Sequence, residues 1–222
     1  MPAAAASAGI GEFSAFVAHE LNNIAAPLLG FIDLATENPG SADSIGQCLD
    51  EVRLGIARVT ALSRDIETLA ESTSQRISVA VGDCISQAQV NDGNNRREVL
   101  WGCDSKTLLD VDPFHAARAI VSLVRIGGCA AALTITGDLR DASACTGCGA
   151  ALTSASRYLR IEVRPTRILS GKLLRSPFAA HPGAAASLRL TAAVLLHCTH
   201  LAGGHILADS RAKSMGLALP IA

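Results

Sequence analysis

Two long stretches of apolar residues at helical spacing, separated by a short polar break, constrain the fold of this chain most strongly. In the first stretch apolar side chains recur every three or four residues, which places them on one side of an α-helix. These residues are Ile10, Phe13, Val17, Leu21, Ile24, Leu28, Phe31 and Ala35. Pro39 and Gly40 then end the pattern, and Ser41 or Asp43 can cap a new helix. The sequence therefore predicts a long amphipathic helix that stops before Pro39.

The second stretch repeats the helical spacing and fades at Ser72. Its apolar residues are Ile45, Leu49, Val52, Ile56, Val59, Ile66 and Ala70. Two consecutive helices joined by a short turn form an antiparallel hairpin. A lone hairpin buries only one face of each helix, so two hairpins would be needed to complete a core. We therefore expect residues 1–75 to form a helical hairpin that dimerises into a four-helix bundle.

The remainder of the chain has the pattern of an α+β fold. Short β-branched runs predict strands at 77–81, 98–101, 133–136, 158–163, 206–208 and 217–221. Helices are predicted at 113–125 and 187–201, and a loop or hairpin at 137–156. Trp101 is expected in the core. Residues 76–222 are thus predicted to form a second domain with helices packed on a sheet.

Charge is distributed unevenly along the chain. The formal net charge is -1, yet residues 1–51 contain seven Asp or Glu residues and no Lys or Arg. The basic residues of the remainder are scattered singly, whereas a nucleic-acid-binding protein needs a dense basic face. Aromatic residues are only 3% of the chain, too few for stacking platforms. Nucleic acid is therefore an unexpected partner.

The sequence gives no sign of export or of a membrane span. The N-terminus lacks the positive flank of a signal peptide. The longest charge-free run, 190–208, contains three histidines and two adjacent glycines, which favours a buried helix, turn and strand. Seven cysteines form an odd, irregular set, unlike a secreted disulfide framework. We expect a cytoplasmic protein without a membrane span.

His19 is the first candidate for chemistry. At about 100° per residue it projects roughly opposite the apolar side of the first helix. Asn23 follows one turn later, Glu12 lies near the same side, and Glu20 lies at the edge of the apolar stripe. An imidazole can be uncharged near neutral pH and can form a covalent intermediate. By angle alone, a solvated side chain is the better explanation of His19.

The residues around His19 resemble a known motif. The run His19-Glu20-Leu21-Asn22-Asn23, within 13–31, is similar to the phosphoacceptor box of two-component histidine kinases. The resemblance implies that His19 is phosphorylated, that Glu20 aids proton transfer and that Asn23 orients water during dephosphorylation of a response regulator. Pro27 also fits this box, and its missing amide hydrogen bond is expected to bend the helix.

The rest of the chain resembles the catalytic, ATPase-like domain of the same kinases, an α/β sandwich. Ser122 and Ile126 stand where that family carries two asparagines, one of which holds magnesium. Arg164 lies in the strand and turn that normally supply the adenine-binding aspartate. Arg189 lies in the segment 183–191, which replaces the glycine-rich phosphate lid. Because Ile126 offers no oxygen ligand and residues 184–187 crowd the approach of backbone amides to phosphates, we expect ATP binding to be lost or very weak, and no metal or other cofactor on this chain.

The resemblance predicts a phosphotransfer protein that relays a phosphoryl group between His19 and receiver-domain aspartates of response regulators, with Mg²⁺ supplied by the receiver. Phe16 is expected to be exposed beside His19 and to form the receiver contact together with Glu12, Asn22 and Pro27. Three alternatives remain open. The chain could be a divergent ATP-dependent histidine kinase, a non-catalytic dimer that sequesters a receiver or a kinase, or a phosphatase that uses Asn23.

A zinc site is a further candidate. Cys145 and Cys148 have zinc-ligand spacing, and His197 with His200 could supply a second pair. The two histidines fall inside an apolar helix, where packing or a hydrogen bond to the backbone is the simpler explanation. We therefore favour a structural role for all four residues, with a redox-labile Cys145–Cys148 pair as the lesser possibility.

Overall fold

The computed structural model describes residues 2–37, 42–91, 98–128, 132–139, 157–163, 169, 171–179, 184–209 and 214–222. Two compact units are present, Met1–Thr68 and Leu69–Ala222. This division falls before the boundary at residue 75 that the sequence suggested. The residues between the two boundaries pack with the second unit; Leu69, for example, contacts its hydrophobic core.

The first unit contains the two predicted helices, α1 (Pro2–Glu37) and most of α2 (Ala42–Ala70). On α2 three of the four buried positions are spaced by seven residues, at Cys48, Gly55 and Leu62, and the fourth is Thr68. That spacing is typical of a packed helix pair. Three residues expected in the packed stripes, Leu21, Leu49 and Ile56, are instead 41%, 51% and 56% exposed. They lie beside the line of residues along which α1 and α2 contact each other, here named the packing seam. A seam that repeats every 3.5 residues is narrower than the whole apolar face of a helix.

Gly55 is the point of close approach between the two helices. A Cβ atom built on Gly55 would overlap the side chain of Leu28 on α1. Gly46, nine residues earlier on the same helix, has open space around the corresponding position. Glycine is therefore required by packing at residue 55 but not at residue 46.

This contrast gives a first testable prediction. Gly55→Ala should destabilise the chain, because the overlap with Leu28 costs about 1–3 kcal/mol, the usual range for an overpacked contact. Gly46→Ala, the matched control, should stabilise it by about 0.5–1 kcal/mol, the gain of alanine over glycine in an exposed helix. Chemical denaturation of both variants measures the difference. Equal stabilisation by the two substitutions would contradict the close approach of α1 and α2 at Gly55.

The second unit contains two sheets. A five-stranded sheet has the order β2-β4-β5-β7-β6, in which only the β2–β4 pair is parallel. A two-stranded antiparallel sheet pairs β1 with β3. The strands are β1 (Ile77–Ala80), β2 (Val99–Gly102), β3 (Leu108–Val111), β4 (Leu133–Leu139), β5 (Tyr158–Val163), β6 (His205–Asp209) and β7 (Ser214–Pro220).

Helices cover one face of the large sheet. The helices of this unit are α3 (Val81–Asn91), α4 (Pro113–Gly127), α5 (Gly171–Arg175) and α6 (Ala186–Leu201). Alternate residues of β5, Leu159, Ile161 and Val163, join the main core with α4 and α6, whereas Tyr158 belongs to a small cluster on the opposite face. This alternation is the period-two pattern of a strand. The unit is thus a helical layer on a sheet, as the α+β prediction requires.

Most predicted elements are confirmed, and the misses have physical reasons. The sequence reading omitted α3, β3 and α5; the latter two have only four and five residues, too short for a clear period. The expectation that Trp101 lies in the core is wrong. It is 43% exposed, and β2 lies at the edge of the sheet formed by the described strands. The loop or hairpin predicted at 137–156 begins inside β4, which runs to Leu139, and residues 140–156 lie outside the described residues.

The segment Gly11–Glu37 of α1 is long and apolar enough to cross a membrane by length and composition. Signal sequences and helices of protein cores satisfy the same criterion. This segment also carries four acidic residues, Glu12, Glu20, Asp33 and Glu37. Its partly buried residues recur at helical spacing, the pattern of a helix that packs along one side.

Candidate functional site

His19 lies in the middle of α1 and its side chain is exposed. The partly buried side of α1 contains Val17, Ile24, Leu28 and Phe31, so the expected orientation of the imidazole away from that side is confirmed. The helix continues without interruption for more than two turns on either side of His19. The imidazole is therefore carried by a regular helix and is accessible to a partner.

Glu20 and Asn23 lie together beside His19. The Asn23 Nδ2 group donates a hydrogen bond to Glu20 Oε1 at 3.4 Å. Glu20 is half-buried, at the edge of the packed stripe as expected, while Asn23 is exposed. A half-buried carboxylate held by a neighbouring amide has fewer accessible rotamers than a fully exposed one. The pair thus places an acid and an amide within one turn of the exposed histidine.

Pro27 lies inside α1 and alters the backbone at this site. Proline has no amide hydrogen, so it cannot donate to the carbonyl four residues earlier. In α1 that carbonyl belongs to Asn23. The residue that would orient water is therefore also the residue whose backbone oxygen lacks its usual helical donor.

The other expected contact residues divide into two groups. Glu12, Asn22 and Pro27 are exposed on α1. Phe16, in contrast, is only 5% exposed, so the expectation of an exposed phenyl ring beside His19 is wrong. Its burial means that other protein groups cover the phenyl ring. Phe16 is therefore not part of a partner-facing surface.

The charges around His19 are acidic. Residues 1–51 contain no Lys or Arg, and Glu12, Glu20 and Asp33 are the nearest ionisable groups on α1. The basic residues of the hairpin lie on α2, at Arg53, Arg58 and Arg64. The surface of α1 therefore attracts a positively charged partner surface at long range.

In the second unit, the two α4 positions that the sequence resemblance matches to nucleotide-binding residues are turned inward. Ser122 and Ile126 lie four residues apart on α4 and are only 3% and 6% exposed. Ile126 belongs to the main hydrophobic core. A magnesium ion requires oxygen ligands that reach solvent, and an alkyl group in the core offers none.

Arg189 is engaged within the protein. Its Nε donates to the Pro177 carbonyl at 2.9 Å and its Nη2 to the Phe178 carbonyl at 2.5 Å. These bonds hold the residues after α5 against the first turn of α6. The guanidinium is thus used to bind backbone oxygens of its own chain. Arg164 lies outside the described residues.

Among the described residues, no group of three or more His, Cys, Asp or Glu side chains is arranged to hold a metal ion. His197 Nε2 lies 2.8 Å from the Glu71 carbonyl, which confirms the expected backbone hydrogen bond. His200 is exposed over much of its surface, and the partial burial of its ring, together with nearby His197, lowers its pKa. Cys145 and Cys148 lie outside the described residues.

The sequence reading missed a charged cluster at the start of α4. Asp112 caps this helix by accepting the His115 amide at 3.1 Å, and its second oxygen accepts the Gln75 amide at 2.8 Å. Burial alone would raise the pKa of Asp112, but these amides and the adjacent His115 ring outweigh it and lower the pKa. The Asp-Pro pair at 112–113, a recognised helix start, was the one signal in the sequence for this cap.

Comparison with known proteins places the fold. No family model matches the chain, and no curated protein matches its sequence. Among solved structures, the Acinetobacter baumannii histidine kinase AdeS is similar at a TM-score of 0.57 and 14% identity, covering 92% of this chain and 97% of that one. A bacterial phosphotransferase is similar at a TM-score of 0.48 and 16% identity, covering 96% of both chains.

The likeness to AdeS covers 92% of this chain and therefore extends over both units. The chain therefore has a histidine-kinase-like fold: an N-terminal helical hairpin followed by an ATPase-like α/β unit. At 14% identity the comparison establishes the fold but not the chemistry, which is argued from the residues of this chain.

Proposed function

We propose that this chain is a histidine phosphotransfer protein, in which His19 relays a phosphoryl group between receiver-domain aspartates without using ATP. The observation that carries the proposal is the exposed His19 on α1, with the hydrogen-bonded Glu20 and Asn23 beside it. The histidine-kinase-like fold is the setting in which such a histidine acts, and this supports the assignment.

The proposed step is an in-line substitution at phosphorus. The Nε2 lone pair of neutral His19 attacks the aspartyl phosphate of a receiver and forms a P–N bond. The P–O bond to the receiver aspartate breaks, and its carboxylate leaves with the electron pair. Glu20 stabilises the positive charge that develops on the ring, while the receiver's Mg²⁺ neutralises the phosphoryl oxygens. Phosphoryl transfer depends mainly on such positioning and charge neutralisation.

The second unit supports a role without nucleotide. At the positions that would hold magnesium, Ser122 and Ile126 face the core. At the entrance to α6, Arg189 binds the carbonyls of Pro177 and Phe178. Both features leave the ATPase-like scaffold intact while removing groups that a nucleotide would need. We infer that this unit has become a structural or partner-binding element.

The hairpin also supports a homodimer. By the helical rotation of 100° per residue, Leu21 and Ile32 fall on one flank of the α1 packing seam. Leu49 and Ile56 fall on the flank of α2 that faces the same side of an antiparallel hairpin. All four are more than 40% exposed. A second hairpin placed on this flank would cover them and form the four-helix bundle.

The proposal is tested by incubating the protein with a phosphorylated receiver domain, with and without ATP. We expect acid-labile, base-stable label on this chain from the receiver alone, and no label from ATP alone. Label from ATP alone would favour the divergent kinase instead. Binding to the receiver without any label would favour a sequestering module.

A further inference from the structure

Residues 71–76, here named the connector, follow the end of α2 and lead into β1 without forming a helix or a strand. All of them except the half-buried Glu71 are exposed. Glu71 is nevertheless held by two side chains of the second unit. Its carbonyl accepts a hydrogen bond from His197 Nε2 at 2.8 Å, and its Oε2 atom lies 3.1 Å from His115 Nε2. The connector is therefore attached to the second unit from its first residue.

The connector completes the C-terminal end of α6. The last four carbonyls of an α-helix have no donor within the helix. In α6 the carbonyls of residues 198–200 accept the backbone amides of residues 202–204, at 2.8–2.9 Å. The remaining carbonyl, that of Leu201, accepts the Ser74 hydroxyl at 2.6 Å. The connector thus supplies the donor that the end of this helix requires.

Arg76 adds a positive charge at the same end of α6. A Cβ atom built on Gly203 would overlap the Arg76 guanidinium, so the guanidinium lies directly against this glycine. Gly203 has a φ of +77°, a conformation that favours glycine and turns the chain out of the helix. The C-terminus of a helix carries a partial negative charge, so a cation placed there is favourable. Ser74 and Arg76 therefore stabilise one helix end by a hydrogen bond and by charge.

The residue between them, Gln75, binds the start of α4. The Asp112 carboxylate caps that helix through one oxygen, and its other oxygen accepts the Gln75 amide at 2.8 Å. Helices α4 and α6 pack against each other in the core of the unit. Three consecutive connector residues thus join the end of α6 to the beginning of α4.

We propose that the connector is a detachable strap that closes the ends of α4 and α6 together and opens as one unit while the core of the second unit stays folded. Residues 74–76 are adjacent, so none can leave its contact without displacing the next. The segment is exposed and held by few contacts, which is typical of a part that opens before the whole protein unfolds. Because the connector continues directly from α2, a displacement of the end of that helix acts on both helix ends at once. This inference does not depend on phosphotransfer at His19.

Native-state hydrogen exchange of the full chain, followed by NMR at one neutral pH, tests this proposal. In the wild type, the amides of Gln75 and of residues 202–204 should be protected to a similar degree, and far less than the amides in the middle of α6. Ser74→Ala should lower the protection of all four amides together by about three- to tenfold, the loss expected for one neutral hydrogen bond. Protection in the middle of α6 should not change, because those amides exchange only when the core opens.

Ser72→Ala is the matched control, because Ser72 is an exposed serine of the same connector that takes no part in the contacts described above. It should leave all four amides unchanged. A fall in protection at residues 202–204 without a fall at Gln75 would overturn the proposal, since the connector would then not open as one unit. Equal effects of the two serine substitutions, or wild-type protection of Gln75 as high as that in the middle of α6, would overturn it as well.

Discussion

His19→Ala should abolish phosphoryl transfer from a phosphorylated receiver while leaving receiver binding intact. Alanine removes the Nε2 atom that is proposed to form the P–N bond, and loss of a nucleophile lowers turnover on the order of a thousandfold or more. His19 is exposed in a regular helix, so its removal creates no cavity and alanine favours the helix. The measurement is loss of label from the phosphorylated receiver and gain of label on this chain over time.

The matched control for this experiment is His200→Ala, which removes another exposed histidine from a helix of the second unit. This variant should transfer phosphate at the wild-type rate. If His19→Ala kept measurable acid-labile label, the phosphoacceptor would have to be another residue. Loss of receiver binding together with transfer would instead assign His19 to the contact surface alone.

The double substitution Ile32→Glu and Ile56→Glu should convert a dimer to a monomer. Both side chains are about half exposed on the shared flank of the hairpin, at 47% and 56%. Covering each by a second hairpin contributes about 1.5–3 kcal/mol, so losing both contacts should weaken dimerisation by about a hundredfold or more. Sedimentation velocity over a range of protein concentrations measures this change.

Leu54→Glu is the control, because Leu54 is similarly exposed at 47% but lies on the opposite flank of α2. This variant should remain dimeric. Dissociation by Leu54→Glu, with no effect of the double substitution, would place the interface on the other side of the hairpin. A monomeric wild-type protein at micromolar concentration would contradict the four-helix bundle itself.

Much of the fold could be predicted because it is encoded in local periodicity. The helices of the hairpin repeat apolar residues over many turns, and β5 and α6 have patterns long enough to locate to within one residue. The short elements β3 and α5 are stabilised by tertiary packing rather than by their own pattern, so they were missed. Trp101 was misplaced because the sequence does not show which strand lies at the edge of a sheet.

Part of the candidate site could likewise be predicted from local periodicity, and part could not. The orientation of His19 and the position of Glu20 at the edge of the packed stripe follow from the helical rotation per residue, and both agree with the structure. The expected exposure of Phe16 does not agree with the structure, because rotation along one helix does not report which other groups cover a side chain. The His115 cluster joins residues 71, 112 and 115, and no local pattern reports which distant side chains meet around a buried ring.

The exposed edge strand has a practical consequence for the study of this molecule. Trp101 is the sole tryptophan of the chain and stands on β2 in partial contact with solvent. Its emission therefore reports on the rim of the large sheet, and the hairpin itself carries no tryptophan. Unfolding of the hairpin is better followed by its helical circular dichroism than by intrinsic fluorescence.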